Sequence, residues 1–316
     1  MIGFETIGNA TVTVFDEKPI ISTDPWIFGN PYFGSWGHKY SIPSEQLDNI
    51  KKSKYLFLSH GHPDHIDPDS FELFKNKTLI VGDHYGDRIY NDLKVKYDCI
   101  KLQSNSWFVV SKNIRIKSFA DWNQDTSLII EILKKDIILN LNDAKARGWS
   151  GEIKKIIKPY RNKFLLKLVN EADADMINFY NHHNEFILPL ASEKKPCGLS
   201  YSYYMQKWNC NFAIPFSSMH KYIREDSVKM NEFTTPLLKH YDGFNSKNGE
   251  LLPAFIIWDT LKEDFTKINP SKNDEKVKLP SEFGDNWNDN LDKEDKLLIE
   301  NYFKKFEHIK DKFGFL

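Results

Sequence analysis

Apolar and polar positions alternate with period two along several short stretches of this chain, each closed by turn residues. Residues 11–15 (Thr-Val-Thr-Val-Phe) and 19–23 (Pro-Ile-Ile-Ser-Thr) flank Asp16-Glu17-Lys18 and predict a hairpin. Residues 107–110 and 114–119 predict another, and 128–132 with 137–141 a third, around Lys134-Lys135-Asp136. Unbroken apolar runs at 55–58 (Tyr-Leu-Phe-Leu) and 79–82 (Leu-Ile-Val-Gly) have the length of strands buried on both faces. Shorter strand patterns fall near Cys99-Ile100, at 213–216 and at 256–258. Helical spacing lies between them, at 43–52, 87–93 and 151–180. Asp67 followed by Pro68 reads as a capped helix start that runs to about Lys75. Residues 293–310 predict an amphipathic helix with Leu297, Leu298, Tyr302, Phe303 and Phe306 on its apolar side. The aromatic segment from Tyr201 to Phe212 is read as core packing in preference to a stacking platform. Strands alternating with helices predict an α/β protein.

Composition narrows this. A chain of 316 residues can bury one large core. Its composition turns polar beyond about Asp242, so a main domain over 1–242 and an extension over 243–316 packing on it are expected. Lysine and arginine number 43 against 44 acids, so no overall field favours nucleic acid or an anionic membrane. The cysteines, Cys99, Cys197 and Cys210, form no Cys-x-x-Cys and no Cys-His pair, which points to reduced thiols and no iron–sulfur segment. The first residues carry no basic, apolar leader, and no apolar run is long enough for a bilayer. A cytoplasmic protein is expected.

The chemistry concentrates directly after the 55–58 strand, in Ser59-His60-Gly61-His62-Pro63-Asp64-His65. At a fraying strand end His60 and His62 project to the same side, because side chains alternate. Pro63 then stops sheet pairing and forces a turn, which swings Asp64 and His65 back toward the same space. The two histidines suit one metal ion and the Asp-His pair a second. The competing reading is a polar turn, but four such ligands without a metal would leave unpaired buried groups. Other acids and one imidazole sit at strand exits: Asp121, Asp143 and His220. Asp24, before Pro25, either opens a turn or orients a ligand histidine through its second nitrogen.

The pattern His-x-His-x-Asp-His resembles the signature of the metallo-β-lactamase superfamily, which implies two mixed β-sheets flanked by helices in an αββα sandwich. The resemblance further implies that Asp143 bridges two metal ions and that His220 completes the site of Asp64 and His65. Asp64 and Asp143 are then the candidate catalytic carboxylates. Hydrolases of the superfamily usually supply one more histidine to the first metal, and this chain has none between His84 and His182. Asp121-Trp122 stands where phospholipase and lactonase relatives carry His-Trp. Either Asp121 ligates, which would shift preference from zinc toward iron or manganese, or it caps a turn and water fills the position.

Four stretches resemble, more narrowly, the CMP-N-acetylneuraminate hydroxylase group, which includes UDP-N-acetylmuramate hydroxylases. They are Thr23-Asp24-Pro25-Trp26-Ile27-Phe28-Gly29, the motif with Leu58 and Ser59, Ile138-Leu139-Asn140-Leu141-Asn142-Asp143 with Arg147 after it, and Ile214-Pro215-Phe216 through His220-Lys221-Tyr222-Ile223. Such enzymes hydroxylate the N-acyl group of a nucleotide-linked amino sugar with O2 and electrons from a Rieske centre. The resemblance therefore implies a di-iron oxygenase acting on such a sugar or a similar polar metabolite. Lacking a Rieske segment, it would need a separate electron-transfer protein. Arg147, Lys221 and Arg224 are candidates for contacting phosphates. Two alternatives remain open at this point. One is a metal-dependent hydrolase of a phosphodiester, lactone or amide, with zinc or manganese. The other is a non-catalytic metal-binding protein with a degenerate site.

Overall fold

The computed structural model describes residues 1–122, 124–168, 181, 183–188, 192, 195–247, 249–284 and 290–313. In chain order the elements are β1 (Ile2–Ile7), β2 (Thr11–Asp16), β3 (Lys18–Thr23), β4 (Trp36–His38), α1 (Ser44–Lys52), β5 (Tyr55–Leu58), β6 (Thr78–Gly82), α2 (Arg88–Leu93), β7 (Asp98–Leu102), β8 (Trp107–Val109), β9 (Ile114–Ala120), β10 (Thr126–Ile132) and β11 (Asp136–Asn142). Then come α3 (Ser150–Ile157), β12 (Asn162–Lys167), α4 (Cys197–Trp208), β13 (Phe212–Pro215), β14 (His220–Tyr222), β15 (Glu250–Leu251), β16 (Ile256–Asp259), β17 (Asp264–Lys267) and α5 (Lys293–Phe313).

The strands form two large sheets. One has the order β17-β16-β1-β2-β3-β5-β6-β7 and the other β15-β13-β12-β11-β10-β9-β8, while β14 and β4 make a separate ribbon. Both large sheets are mixed: β3, β5, β6 and β7 run parallel, as do β11, β12, β13 and β15, with antiparallel hairpins beside them. Their inner faces meet through Phe4, Val14, Phe57 and Ile80 on one side and Ile116, Ile130, Phe164 and Ile214 on the other. The opposite residues of the same strands face helices. Leu56, Leu58 and Leu79 pack against Ile50 of α1 and Leu93 of α2. Ile129, Leu139 and Leu165 pack against Ile153 of α3 and Tyr201, Met205 and Trp208 of α4. This is the αββα sandwich that the motif implied. It also explains why 55–58 and 79–82 read as unbroken apolar runs: a parallel strand covered on both faces has no polar side.

The helical reading of 151–180 is corrected by the structure. The helix α3 ends at Ile157, Pro159 follows, and Phe164-Leu165-Leu166 forms β12 between β11 and β13. Over so short a run apolar content cannot separate a buried strand from a helix. Residues 169–180 and His182 lie outside the described residues. At 67–75 the cap is present, with Asp67 accepting from the Ser70 amide, but the segment Pro68–Phe74 is a 3-10 helix.

Met1–Lys278 forms one compact unit and Leu279–Leu316 a second. The first includes β15 to β17, which complete both sheets. The second holds a 3-10 turn at Pro280–Phe283 and α5. Among the described residues no helix is long and apolar enough to cross a membrane.

Candidate metal centre

The centre is built where β3, β5 and β11 end and where the ribbon crosses them. Asp24 follows β3 with φ of +40°, and its amide donates to the Phe57 carbonyl at 2.8 Å. Its Oδ1 accepts from the Ser59 amide at 2.7 Å, so the exit of β3 splints the exit of β5. Beyond Pro63 the amides of His65 and Ile66 both donate to the His62 carbonyl, closing the turn that brings Asp64 and His65 back. His60 and His65 are buried and His62 is exposed.

His60, His65 and Asp143 each offer a donor atom within 4.8 Å of the others. Asp143 Oδ2 lies 3.5 Å from His60 Nε2 and 3.6 Å from His65 Nε2, and Asp64 Oδ2 lies 3.3 Å from His65 Nε2. Two donors about 2.1 Å from one cation stand roughly 3.4 Å apart at the tetrahedral angle, so these spacings are those of ligand pairs. His62 presents Nδ1 to His60 Nε2 at 2.8 Å. The other nitrogen of each buried ring is already held. His60 Nδ1 bonds Ser59 Oγ at 2.9 Å, and His65 Nδ1 faces Asp24 Oδ2 at 3.3 Å and the Asn142 amide at 3.2 Å.

His220 reaches the same region from the ribbon, where it pairs with His38 across β4 and stacks on Trp36 at 3.5 Å. It is 1% exposed, and neither ring nitrogen has a hydrogen-bond partner. Asp143 Oδ1 and His65 Nε2 also lack one. Buried polar atoms in this state are costly, and their convergence fits a cation. The electrostatics agree. Burial, with repulsion from His65, pushes His60 down to about 3, and burial pushes His220 down to about 3, so both rings are neutral at pH 7. Burial alone would raise Asp64 and Asp143, but His65 and His60 hold both carboxyls below the usual range. Burial opposes charge on His65 too, yet Asp64 and Asp24 draw it upward. That field suits any cation placed among these carboxylates.

Asp121 is buried at the exit of β9, in a tight turn whose amide donates to the Asp125 carbonyl. It lies outside the tightest triplet, and its charge and that of Asp125 act on His84. Arg147 sits over the Trp122 ring at 4.4 Å, next to Asp121. Lys221 points to the other face of the ribbon and donates to the Asn273 and Glu275 carbonyls. Arg224 is buried, donating to Asp226 Oδ1 at 2.8 Å and to the Phe33 carbonyl at 2.7 Å.

Sequence reasoning missed several residues. Tyr32 donates to Asp64 Oδ1 at 2.7 Å, and Asn9 donates to Asp64 Oδ2 at 2.9 Å while its own Oδ1 accepts from the Met219 amide. Asn9 thus ties Asp64 to the loop that delivers His220. His84, buried after β6, bonds Thr126 Oγ1 at 2.7 Å and links the exit of β6 to β10. Lys167 ends β12 in register with Asn142, and burial brings its ammonium down to about 8 against the pull of Asp143. Only His84 carried a sequence signal, as a polar residue just beyond the strand predicted at 79–82. A cavity of about 570 Å³ opens beside His60 and His62, with Ile66, Phe71 and Ile89 on its walls and Arg88 and Lys96 among its polar residues.

No protein-family model matches the chain. It is similar to a cytidine monophosphate-N-acetylneuraminic acid hydroxylase of Asterias rubens, 29% identical over 114 residues, or 35% of this chain and 16% of that protein. A protein of the same description from Cricetulus griseus is 22% identical over 138 residues, or 40% of this chain and 24% of that one. The chain therefore matches less than a quarter of the length of these relatives. Among solved structures it is similar to the metallo-β-lactamase fold protein YhfI of Bacillus subtilis, with a TM-score of 0.44 and 12% identity over 79% of this chain and 90% of that one.

Proposed function

We propose that this protein is a two-metal oxygenase, with iron in both positions, that hydroxylates a nucleotide-linked amino sugar or a similar polar metabolite. The observation that carries the reading is the donor set around Asp143, in which the carboxylates of Asp64 and Asp143 stand together with the imidazoles of His60 and His65. Oxygen donors favour iron or manganese over zinc. The similarity to the hydroxylases over part of the chain supports the same choice.

In this reading His60, His62, Asp121 and Asp143 would hold one ion, and Asp64, His65, His220 and Asp143 would hold the other. The ions would supply activation of O2, given electrons from a separate electron-transfer protein. The chain's own residues orient and exclude. Asp24 favours the proton on His65 Nδ1 and leaves Nε2 directed inward. Tyr32 and Asn9 fix both oxygens of Asp64. Trp36, stacked on His220, keeps water from that side. The cavity beside His62 receives the substrate, with Arg88 and Lys96 opposite its negative charge.

The test is elemental analysis and an optical spectrum of anaerobically purified protein, followed by O2 uptake after chemical reduction. About two irons per chain and uptake that depends on a nucleotide-linked amino sugar are expected. Zinc in the purified protein, with no O2 uptake by the iron-loaded reduced form, overturns the reading in favour of metal-dependent hydrolysis.

A further inference from the structure

The ribbon that carries His220 has a second face. Side chains alternate along a strand, so Lys221 points away from the rings of His220 and Tyr222 and lines a cavity of about 760 Å³. None of the candidate metal ligands lines this cavity. Lys39, directly after β4, lies in its wall with Lys272, Thr234, Phe233 and Pro196. Lys39 Nζ donates to Thr234 Oγ1 at 3.2 Å and to the Thr235 carbonyl at 3.4 Å, and both acceptors are neutral. Burial and the like charge of Lys272 both act against the Lys39 ammonium. The lining holds five lysines against three carboxylates, and one of these, Asp242, is already paired with Lys239 at 3.1 Å. A cavity lined by more ammonium than carboxylate groups, with Lys39 held by neutral acceptors, favours an anion. Phe233 and Pro196 give the same cavity an apolar wall.

We propose that this cavity binds a small organic anion, its phosphate or carboxylate head held by Lys39 and Lys272 and its apolar or ring body against Phe233. The site is separate from the metal centre and does not depend on the function proposed for it. Head and body act together: charge-assisted hydrogen bonds anchor one end, and burial of apolar surface holds the other.

The experiment is calorimetric titration of the full chain with phenyl phosphate, benzoate and benzyl alcohol at low salt, repeated on Lys39→Gln and Lys272→Gln. Saturable binding of phenyl phosphate or benzoate, whichever head fits, is expected, with none of the neutral alcohol. Each substitution should weaken it about tenfold or more, the loss of one charge-assisted bond. Lys272 is exposed, so its variant carries the test even where Lys39→Gln folds poorly. Absence of saturable binding overturns the proposal. So does binding that Lys272→Gln leaves unchanged, since the anion would then sit elsewhere, at the metal centre for instance.

Discussion

Asp24 holds a left-handed backbone conformation, φ +40°, that residues with a Cβ seldom adopt. Asn142, Ser217 and Ser218, which precede Asp143 and His220, and Tyr32, which holds Asp64, share the same sign of φ. Strain of this kind gathers where surrounding structure overrides local preference, and here it turns each strand exit toward one point. Asp24 then acts through its charge on His65 Nδ1 and through its bond to Ser59. Asp24→Asn tolerates the left-handed conformation and can keep the bond to the Ser59 amide, so it isolates the charge. Affinity for the ion held by His65 is expected to fall about 10- to 100-fold, read by competition with a chromophoric chelator. Unchanged affinity would remove Asp24 from that role. At this scale the motif was legible because its six residues are contiguous and Pro63 dictates their turn. Asn9 and Tyr32 were not, because an amide and a phenol far off in sequence carry no local mark of the carboxylate they will meet.

Elements were legible where one period dominated. The hairpins of β2 with β3 and of β10 with β11 follow directly from alternation and turn residues. The strand β12 did not, since its apolar run extends the helical spacing of α3. Nor did β1, which carries a charge inward: Glu5 is fully buried and meets Asn49 and Gln46 of α1. Burial raises its pKa from 4.5 to about 7, with Asn49 and Gln46 acting to lower it. Its folded pKa is thus above the unfolded one, so folding takes up a proton between these values. The stability this confers is fully present below pH 4.5 and is lost as pH rises through 7. Glu5→Gln mimics the protonated acid. It should exceed the wild type in urea unfolding at pH 8 by up to about 3 kcal/mol, with the gap closing toward pH 4.5. A gap independent of pH would show that Glu5 does not titrate in this window.

Across the whole molecule, the candidate ligands come from three bodies that pack but do not hydrogen-bond as one sheet. His60, His62, Asp64 and His65 leave the first sheet, Asp121 and Asp143 the second, and His220 the ribbon. A cation among them joins both halves of the sandwich, and unfolding would scatter every ligand. Binding to the folded state alone adds about 2.7 kcal/mol when the free ion is a hundredfold above its dissociation constant. At roughly 2–4 °C per kcal/mol for a domain of this general size, each ion removed by a chelator should lower Tm by roughly 5–10 °C. Asp143 lies between His60 and His65, so Asp143→Ala should melt near the chelated wild type and lose little more when chelator is added. Calorimetry of both proteins, with and without chelator, separates this from simple damage to the fold. A variant that melts early but still responds fully to chelator would retain its ions and deny Asp143 the bridging place. Equal melting of treated and untreated wild type would mean that no ion ties the sheets together.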